Sequence, residues 1–241
     1  MGRRFFADPT QLMLAKAPTT WRRCWWRDET GAVFVEFAIM LPIIVFVLLG
    51  SVDLLYAIYQ WNAAAKAVEV GARIAAVSDP VASGLNGLAN AALGNGVRTG
   101  GAMPLFSVAC DGAMARCNCS GMCAGLAANP FNTIAMNRVL FGRGSSSCGD
   151  ATSFYATGMC DVLPTIRPAN VLIMYQQTGL GYAGRPGGPV PTITVSLQNM
   201  RFQFFFLTSL GLSMPIPSMT TSITAEDLCS GGASDSCDFA E

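Results

Sequence analysis

The sequence predicts an α+β protein: a long N-terminal transmembrane helix followed by a small, loop-rich exported domain with a C-terminal antiparallel sheet. Three observations predict it. An apolar run that carries one acid, Glu36, follows a basic leader; a turn-dense, cysteine-bearing region comes next; and alternating polar and apolar residues appear near the C-terminus. Helix and strands are thus segregated along the chain, which is the α+β pattern.

Composition narrows the classes of function. Of the 241 residues, 51% are hydrophobic and 12% are charged, which favours a folded or membrane-attached chain over a disordered one. Basic residues outnumber acidic ones in residues 1–31, but no basic block follows, so nucleic acid is not an expected partner. Histidine is absent, which removes the commonest general base and metal ligand.

Residues 32–52 predict a single transmembrane helix. About 20 apolar residues span a bilayer, and Glu36 is the only charge in this run. The bases precede it, so the positive-inside rule predicts a cytoplasmic N-terminus and export of the chain after about residue 55. Two alternatives stay open: a conventional cleaved signal, with Ala63, Ala64 and Ala65 near the cut, and a plain uncleaved anchor. Asp53, at the outer end of the run, is expected to be solvated at the interface.

The helix is predicted to continue to Val77. Ala64, Val68, Gly71 and Ala75 form an apolar stripe of mostly small residues with a 4-3-4 spacing. Such a stripe fits packing against the protein's own domain or against another subunit. The sequence Ser78-Asp79-Pro80 should end the helix, because the residue before proline is biased away from helix. Pro42, inside the apolar run, is expected to kink it.

The exported region predicts short elements joined by long irregular connections. The predicted helices are 81–93 and 132–141, and the predicted strands are 171–175, 192–197 and 219–225, with 200–207 extending or pairing with the second strand. The turn-dense segment from Gly179 to Pro191 separates the last two strands from the rest.

Cysteines predict disulfides in the exported region. Cys24 lies in the leader, and eight cysteines follow the membrane segment: Cys110, Cys117, Cys119, Cys123, Cys148, Cys160, Cys229 and Cys237. An even number in an exported domain favours disulfides, but the 105 possible pairings leave the connectivity open, with Cys229–Cys237 as one candidate pair. The rival interpretation is metal binding by Cys117, Cys119 and Cys123, which lack paired Cys-x-x-Cys spacing. We expect no metal site.

No catalytic motif emerges. Gly179, Gly181 and Gly184 match a dinucleotide loop, but the next residues, Arg185-Pro186-Gly187, cannot begin the helix that such a loop requires. We therefore expect no enzyme, no catalytic residues, no cofactor and no small-molecule substrate.

The segment from Gly31 to Pro42, Gly-Ala-Val-Phe-Val-Glu-Phe-Ala-Ile-Met-Leu-Pro, resembles the N-terminal domain of TadE-like proteins. Gly50, Asp53, Tyr56 and the Ala-rich helix with Arg73 extend the resemblance. These proteins are minor pilins or pseudopilins of the tight-adherence (Tad/Flp) pilus system. The resemblance covers about residues 27–77 and is absent across the cysteine-rich middle.

The resemblance implies processing and assembly roles for specific residues. A prepilin peptidase would cut between Gly31 and Ala32, and Glu36, Phe37 and Pro42 would serve assembly. The implied partners are the membrane, this peptidase, other pilin or pseudopilin subunits and the pilus-assembly platform. The implied location is the bacterial inner membrane, single-pass, with a periplasmic or extracellular C-terminal domain.

The predicted domains combine both lines of reasoning. A cytoplasmic leader occupies residues 1–31, a TadE-like transmembrane and extended helix 32–77, a cysteine-rich exported region 78–190 and a C-terminal strand region 191–241. The alternative function is an uncleaved single-pass envelope protein that presents a disulfide-stapled binding domain.

Overall fold

A computed structural model describes residues 29–150, 156–225 and 228, without the side chains of residues 29, 30 and 32. Its contacts divide the chain into two compact units, with the boundary between Ser51 and Val52. The leader before residue 29, together with Cys24, Cys229 and Cys237, lies outside the described residues.

Helix α1, Glu29–Ala76, confirms the predicted long N-terminal helix. It continues through Pro42 and has 48 residues. Its composition explains its length: an apolar run is followed by an Ala-rich segment, and alanine has the strongest helix propensity. It ends just before Ser78-Asp79-Pro80, where the Ser78 hydroxyl donates to the Ile74 carbonyl oxygen at 2.6 Å.

The second unit contains a five-stranded antiparallel sheet and, within the described residues, three short helices. The helices are α2 (Leu88–Gly94), α3 (Thr133–Phe141) and α4 (Met159–Val162), and the strands are β1 (Phe106–Asp111), β2 (Arg116–Gly121), β3 (Val171–Gln176), β4 (Thr192–Leu197) and β5 (Met219–Thr224). The strand order is β2-β1-β3-β4-β5, with β2 and β5 at the edges. This architecture confirms the predicted α+β class.

The small-residue stripe of α1 belongs to the core of the second unit. Ala64, Val68, Gly71 and Ala75 are all buried, and they share one hydrophobic core with the inner face of the sheet. Strand β3 supplies much of that face, with Tyr175 fully buried and its hydroxyl oxygen accepting from the Val81 N–H at 3.0 Å. The stripe therefore packs on the protein's own domain, the first of the two arrangements that the spacing allowed.

Helix α3 has the ends that its sequence predicts. The Asn132 side chain accepts from the Ile134 and Ala135 N–H groups, which is N-capping. Gly142 ends the helix with a φ of 86°, a conformation that favours glycine. A Cβ at this position would also overlap the Ala156 carbonyl oxygen. Two independent constraints thus require glycine here.

Three local expectations need correction. The connections after residue 94 were expected to be irregular, but 106–121 form the β1–β2 hairpin. The segment 200–207 does not extend a strand: only Arg201 forms an isolated bridge, with Pro215. The predicted helix 81–93 is shorter, because a 3₁₀ turn at Leu85–Gly87 precedes α2. The sheet also draws three of its strands from before residue 190 and two from after it.

Candidate functional site

The residues predicted to serve processing and assembly all lie in the first part of α1. The Gly31–Ala32 bond is in the first turn, where backbone N–H groups have no intrahelical acceptor. Gly31 is exposed, and no heavy atom from the rest of the described chain lies within 4 Å of a Cβ built on it. Glu36, Phe37 and Pro42 are also exposed. Among residues 29–51, the described part of the first unit, nothing therefore covers this segment.

The apolar run of α1 is exposed along its length. Within the described residues, this is the one helix long and apolar enough to cross a membrane, and none of its most apolar window is buried. Residues 32–52 would span about 31 Å at ~1.5 Å per residue, against a bilayer core of ~30 Å. A core helix of a soluble protein buries such side chains, so exposure favours a lipid-facing or subunit-facing surface.

Just after this run, Asp53 is fully buried and anchors a loop. Its Oδ1 accepts the Phe205 N–H at 2.8 Å, and its Oδ2 accepts the N–H groups of Phe206 at 3.0 Å and Leu207 at 2.7 Å. Three donors surround one carboxylate, which is the arrangement that makes burial of a charge tolerable.

Gln60 makes a second polar attachment two helical turns further on. Its Nε2 donates to the Gln203 carbonyl oxygen at 2.7 Å, and its Oε1 accepts the Gln203 N–H at 2.9 Å. The side-chain amide thereby satisfies both polar groups of one backbone residue, in the manner of a neighbouring strand.

An aromatic contact lies between the two polar attachments. The rings of Tyr56 and Phe205 have centroids 4.8 Å apart and are tilted by 39°. Residues 53, 56 and 60 follow the i, i+3, i+7 spacing and therefore share one helix face. We call these three residues and their partners, 203 and 205–207, the clasp.

The clasp corrects one expectation. Asp53 is not solvated at an interface, because its side chain is buried under the loop that it binds. The local sequence shows only that Asp53 ends an apolar run, because its partners lie about 150 positions later in the chain. The sequence does contain one signal of this contact. Asp53, Tyr56 and Gln60 place two polar side chains and one aromatic side chain on the same helix face, which is typical of neither a lipid-facing nor a fully solvated surface.

Within the described residues, three disulfides link parts of the second unit. Cys110 pairs with Cys117, Cys119 with Cys123 and Cys148 with Cys160, whereas Cys229 and Cys237 lie outside the described residues. Cys110 and Cys117 also face each other across β1 and β2, so that bond closes the hairpin. The three cysteines of the rival metal interpretation are all engaged in these bonds, and within the described ranges no cluster of three potential metal ligands occurs.

These features define a class of protein: one candidate membrane-spanning helix joined to a disulfide-bearing α+β domain. Within that class, residues 31–73 match the family model described as TadE-like protein. The match confirms the resemblance and supports a membrane protein of the Tad system. It begins at Gly31 and ends at Arg73, so it includes the clasp face of α1 but none of the sheet.

No curated protein and no solved structure gave a significant match to the chain.

Proposed function

We propose that the chain is a minor pilin-like subunit of a Tad/Flp pilus or secretion system, with a structural rather than a catalytic role. The observation that carries the proposal is the family match beginning at Gly31, on a helix whose apolar run is exposed. The second unit is then a periplasmic or extracellular head, and the inner membrane holds residues 32–52 with the leader in the cytoplasm.

Processing would create the functional N-terminus. A prepilin peptidase cutting between Gly31 and Ala32 leaves an α-ammonium group on Ala32. Ala32 and Glu36 are four residues apart, which places them one above the other on the same helix face. Glu36 can therefore approach the new ammonium group of its own subunit or that of a neighbour.

This pair of charges would determine the axial register between neighbouring helices more than it would stabilise their association. A carboxylate in an apolar setting costs several kcal/mol, and a matching cation offsets part of that cost. A neighbouring helix displaced along the axis leaves both charges unpaired, so the paired position is selected. Phe37 lies beside Glu36 and, with the exposed apolar run, offers a packing surface to other pilin or pseudopilin subunits and to the assembly platform.

Replacing Glu36 tests the proposal. In a strain that depends on this subunit, Glu36→Ala should leave cleavage largely intact and abolish or strongly reduce pilus assembly. Glu69→Ala is the matched control, because Glu69 is a partly exposed carboxylate on the same helix that pairs with Lys66 and Arg73. Normal assembly by the Glu36 variant would contradict the pairing argument. Surface display that needs no pilus genes would favour the uncleaved anchor instead.

A further inference from the structure

The connection between β4 and β5 is an ordered arm rather than an open loop. Its stem is held by two backbone bonds, Phe202 N–H to the Met214 carbonyl and Ile216 N–H to the Met200 carbonyl, each 2.9 Å. Its tip turns through residues 206–212, with Gly211 at a φ of 76°. We call residues 198–218 the β4–β5 arm.

The arm presents apolar side chains that the second unit does not bury. The exposed fractions are 70% for Phe205, 54% for Leu210, 55% for Leu212 and 58% for Met214. No residue between Phe202 and Met214 is charged. An uncharged surface segment that exposes four large apolar side chains is typical of a contact surface, and we call these four side chains the patch.

Most backbone N–H groups of the arm donate hydrogen bonds within the protein, as is required near the interior of a membrane. Of the eleven N–H groups from Phe202 to Leu212, nine donate hydrogen bonds within the protein. Asp53 and Gln60 accept four of these nine. Segments at membrane depth must satisfy their backbone groups internally, whereas a surface loop in water has no such need.

The clasp holds the arm against the part of α1 that follows the proposed membrane span in the sequence. Asp53 directly follows residues 32–52, and the arm contacts α1 between Asp53 and Gln60. Asp53 and Gln60 are the first and the eighth residues after that span. Tyr56 and Tyr59 lie in this stretch of α1 and Trp61 directly follows it, and tyrosine and tryptophan are enriched at membrane–water interfaces.

We propose that the β4–β5 arm is a second membrane contact, with Phe205, Leu210, Leu212 and Met214 inserted among the lipids of the outer interface. The proposal rests on the proposed membrane span of residues 32–52. Uncharged apolar tips, aromatic neighbours and internally satisfied backbone groups all suit that zone. With the arm inserted, the head is held at the membrane by two points instead of one.

Photo-crosslinking to lipid tests this proposal in the full chain. A diazirine-bearing amino acid replaces Leu210 or Leu212, and the protein is reconstituted in vesicles of phosphatidylcholine and phosphatidylglycerol. Met114 is the matched negative position, because it is 70% exposed but lies in the β1–β2 turn. Ile44, in the apolar run, is the positive position. We expect lipid adducts from the probes at Ile44, Leu210 and Leu212, and none from the probe at Met114.

The other outcomes overturn the proposal in distinguishable ways. Adducts from Ile44 but none above the Met114 level from the arm would leave the span intact and refute the second contact. Protein–protein adducts from Leu210 or Leu212, without lipid adducts, would assign the patch to a second copy of the chain. Absence of lipid adducts at Ile44 as well would overturn the span and hence the proposed function.

Discussion

At the residue scale, Asp53 holds a distant segment against α1 through three N–H groups of consecutive residues, 205–207. A neutral amide in its place keeps one acceptor oxygen and turns the other into an NH₂ donor that would face an N–H group. Asp53→Asn should therefore release the arm from the helix without changing the volume of the site.

The measurable consequence is proteolysis of the arm, which offers three consecutive phenylalanines, 204–206, to chymotrypsin. In the full chain we expect Asp53→Asn to raise the cleavage rate between 202 and 212 several-fold. Glu69→Gln, the same acid-to-amide change at a partly exposed carboxylate outside the clasp, should leave the rate unchanged. Equal cleavage of the two variants would show that the clasp does not hold the arm.

Gly71 is the second informative residue, because it lies against Met159 in the core. A Cβ at position 71 would overlap the Met159 Sδ atom, so that side chain would have to shift. Overpacking a core costs about 1–3 kcal/mol, against about 1 kcal/mol gained when alanine replaces glycine in a helix. We expect Gly71→Ala to lower the thermal midpoint of the second unit. A Cβ at Gly50 meets nothing within 4 Å, so Gly50→Ala should not lower that midpoint. A stabilised Gly71 variant would contradict the close contact.

At the element scale, the disulfides differ in how accessible their sulfur atoms are to a reducing thiol. Cys110 and Cys117 are buried, whereas Cys119 and Cys123 are partly exposed on the edge strand and the residues after it. Thiol–disulfide exchange requires approach of a thiolate to sulfur. Mild reduction followed by alkylation should therefore label Cys119 and Cys123 before Cys110 and Cys117, as peptide mapping would show. The reverse order would indicate that the hairpin opens more readily than the packing implies.

The elements also show what the sequence could predict. The alternation of Thr192–Leu197 and the asparagine and glycine at the ends of α3 are local signals, and those elements occur where they were predicted. The β1–β2 hairpin was missed although Phe106, Val108 and Cys110 alternate with less buried residues. The second strand of the hairpin alternates only weakly, and its cysteines are explained by disulfide bonding as well as by strand packing, so the local pattern does not indicate a strand.

The arm was mispredicted for a different reason. Its aromatic composition favours β-strand, yet α1 supplies the hydrogen-bond acceptors that a neighbouring strand would have offered. Such a non-local replacement depends on two segments far apart in sequence, so no local pattern could reveal it. The partners of Asp53 are equally distant in the sequence and cannot be predicted from it locally, whereas the Gly31–Pro42 motif is one continuous segment.

At the scale of the whole molecule, α1 serves both units. Its apolar run is exposed in the first unit, and its small-residue stripe is core in the second. A chain that begins at residue 52 keeps the stripe, the clasp and the sheet, so it should fold. A chain that begins at residue 78 loses Ala64, Val68 and the rest of the stripe from the core and should not. Circular dichroism and cooperative thermal unfolding would compare the two. A cooperative transition in the shorter chain would contradict the assignment of the stripe to the core.

The measurement that tests the central claim most directly is the N-terminal sequence of the protein extracted from membranes of cells that contain the prepilin peptidase. The account predicts a mature chain that begins Ala32-Val33-Phe34, because the cut falls after Gly31. A chain that still begins at Met1 would contradict processing, and one that begins near Lys66 would point to a conventional signal instead.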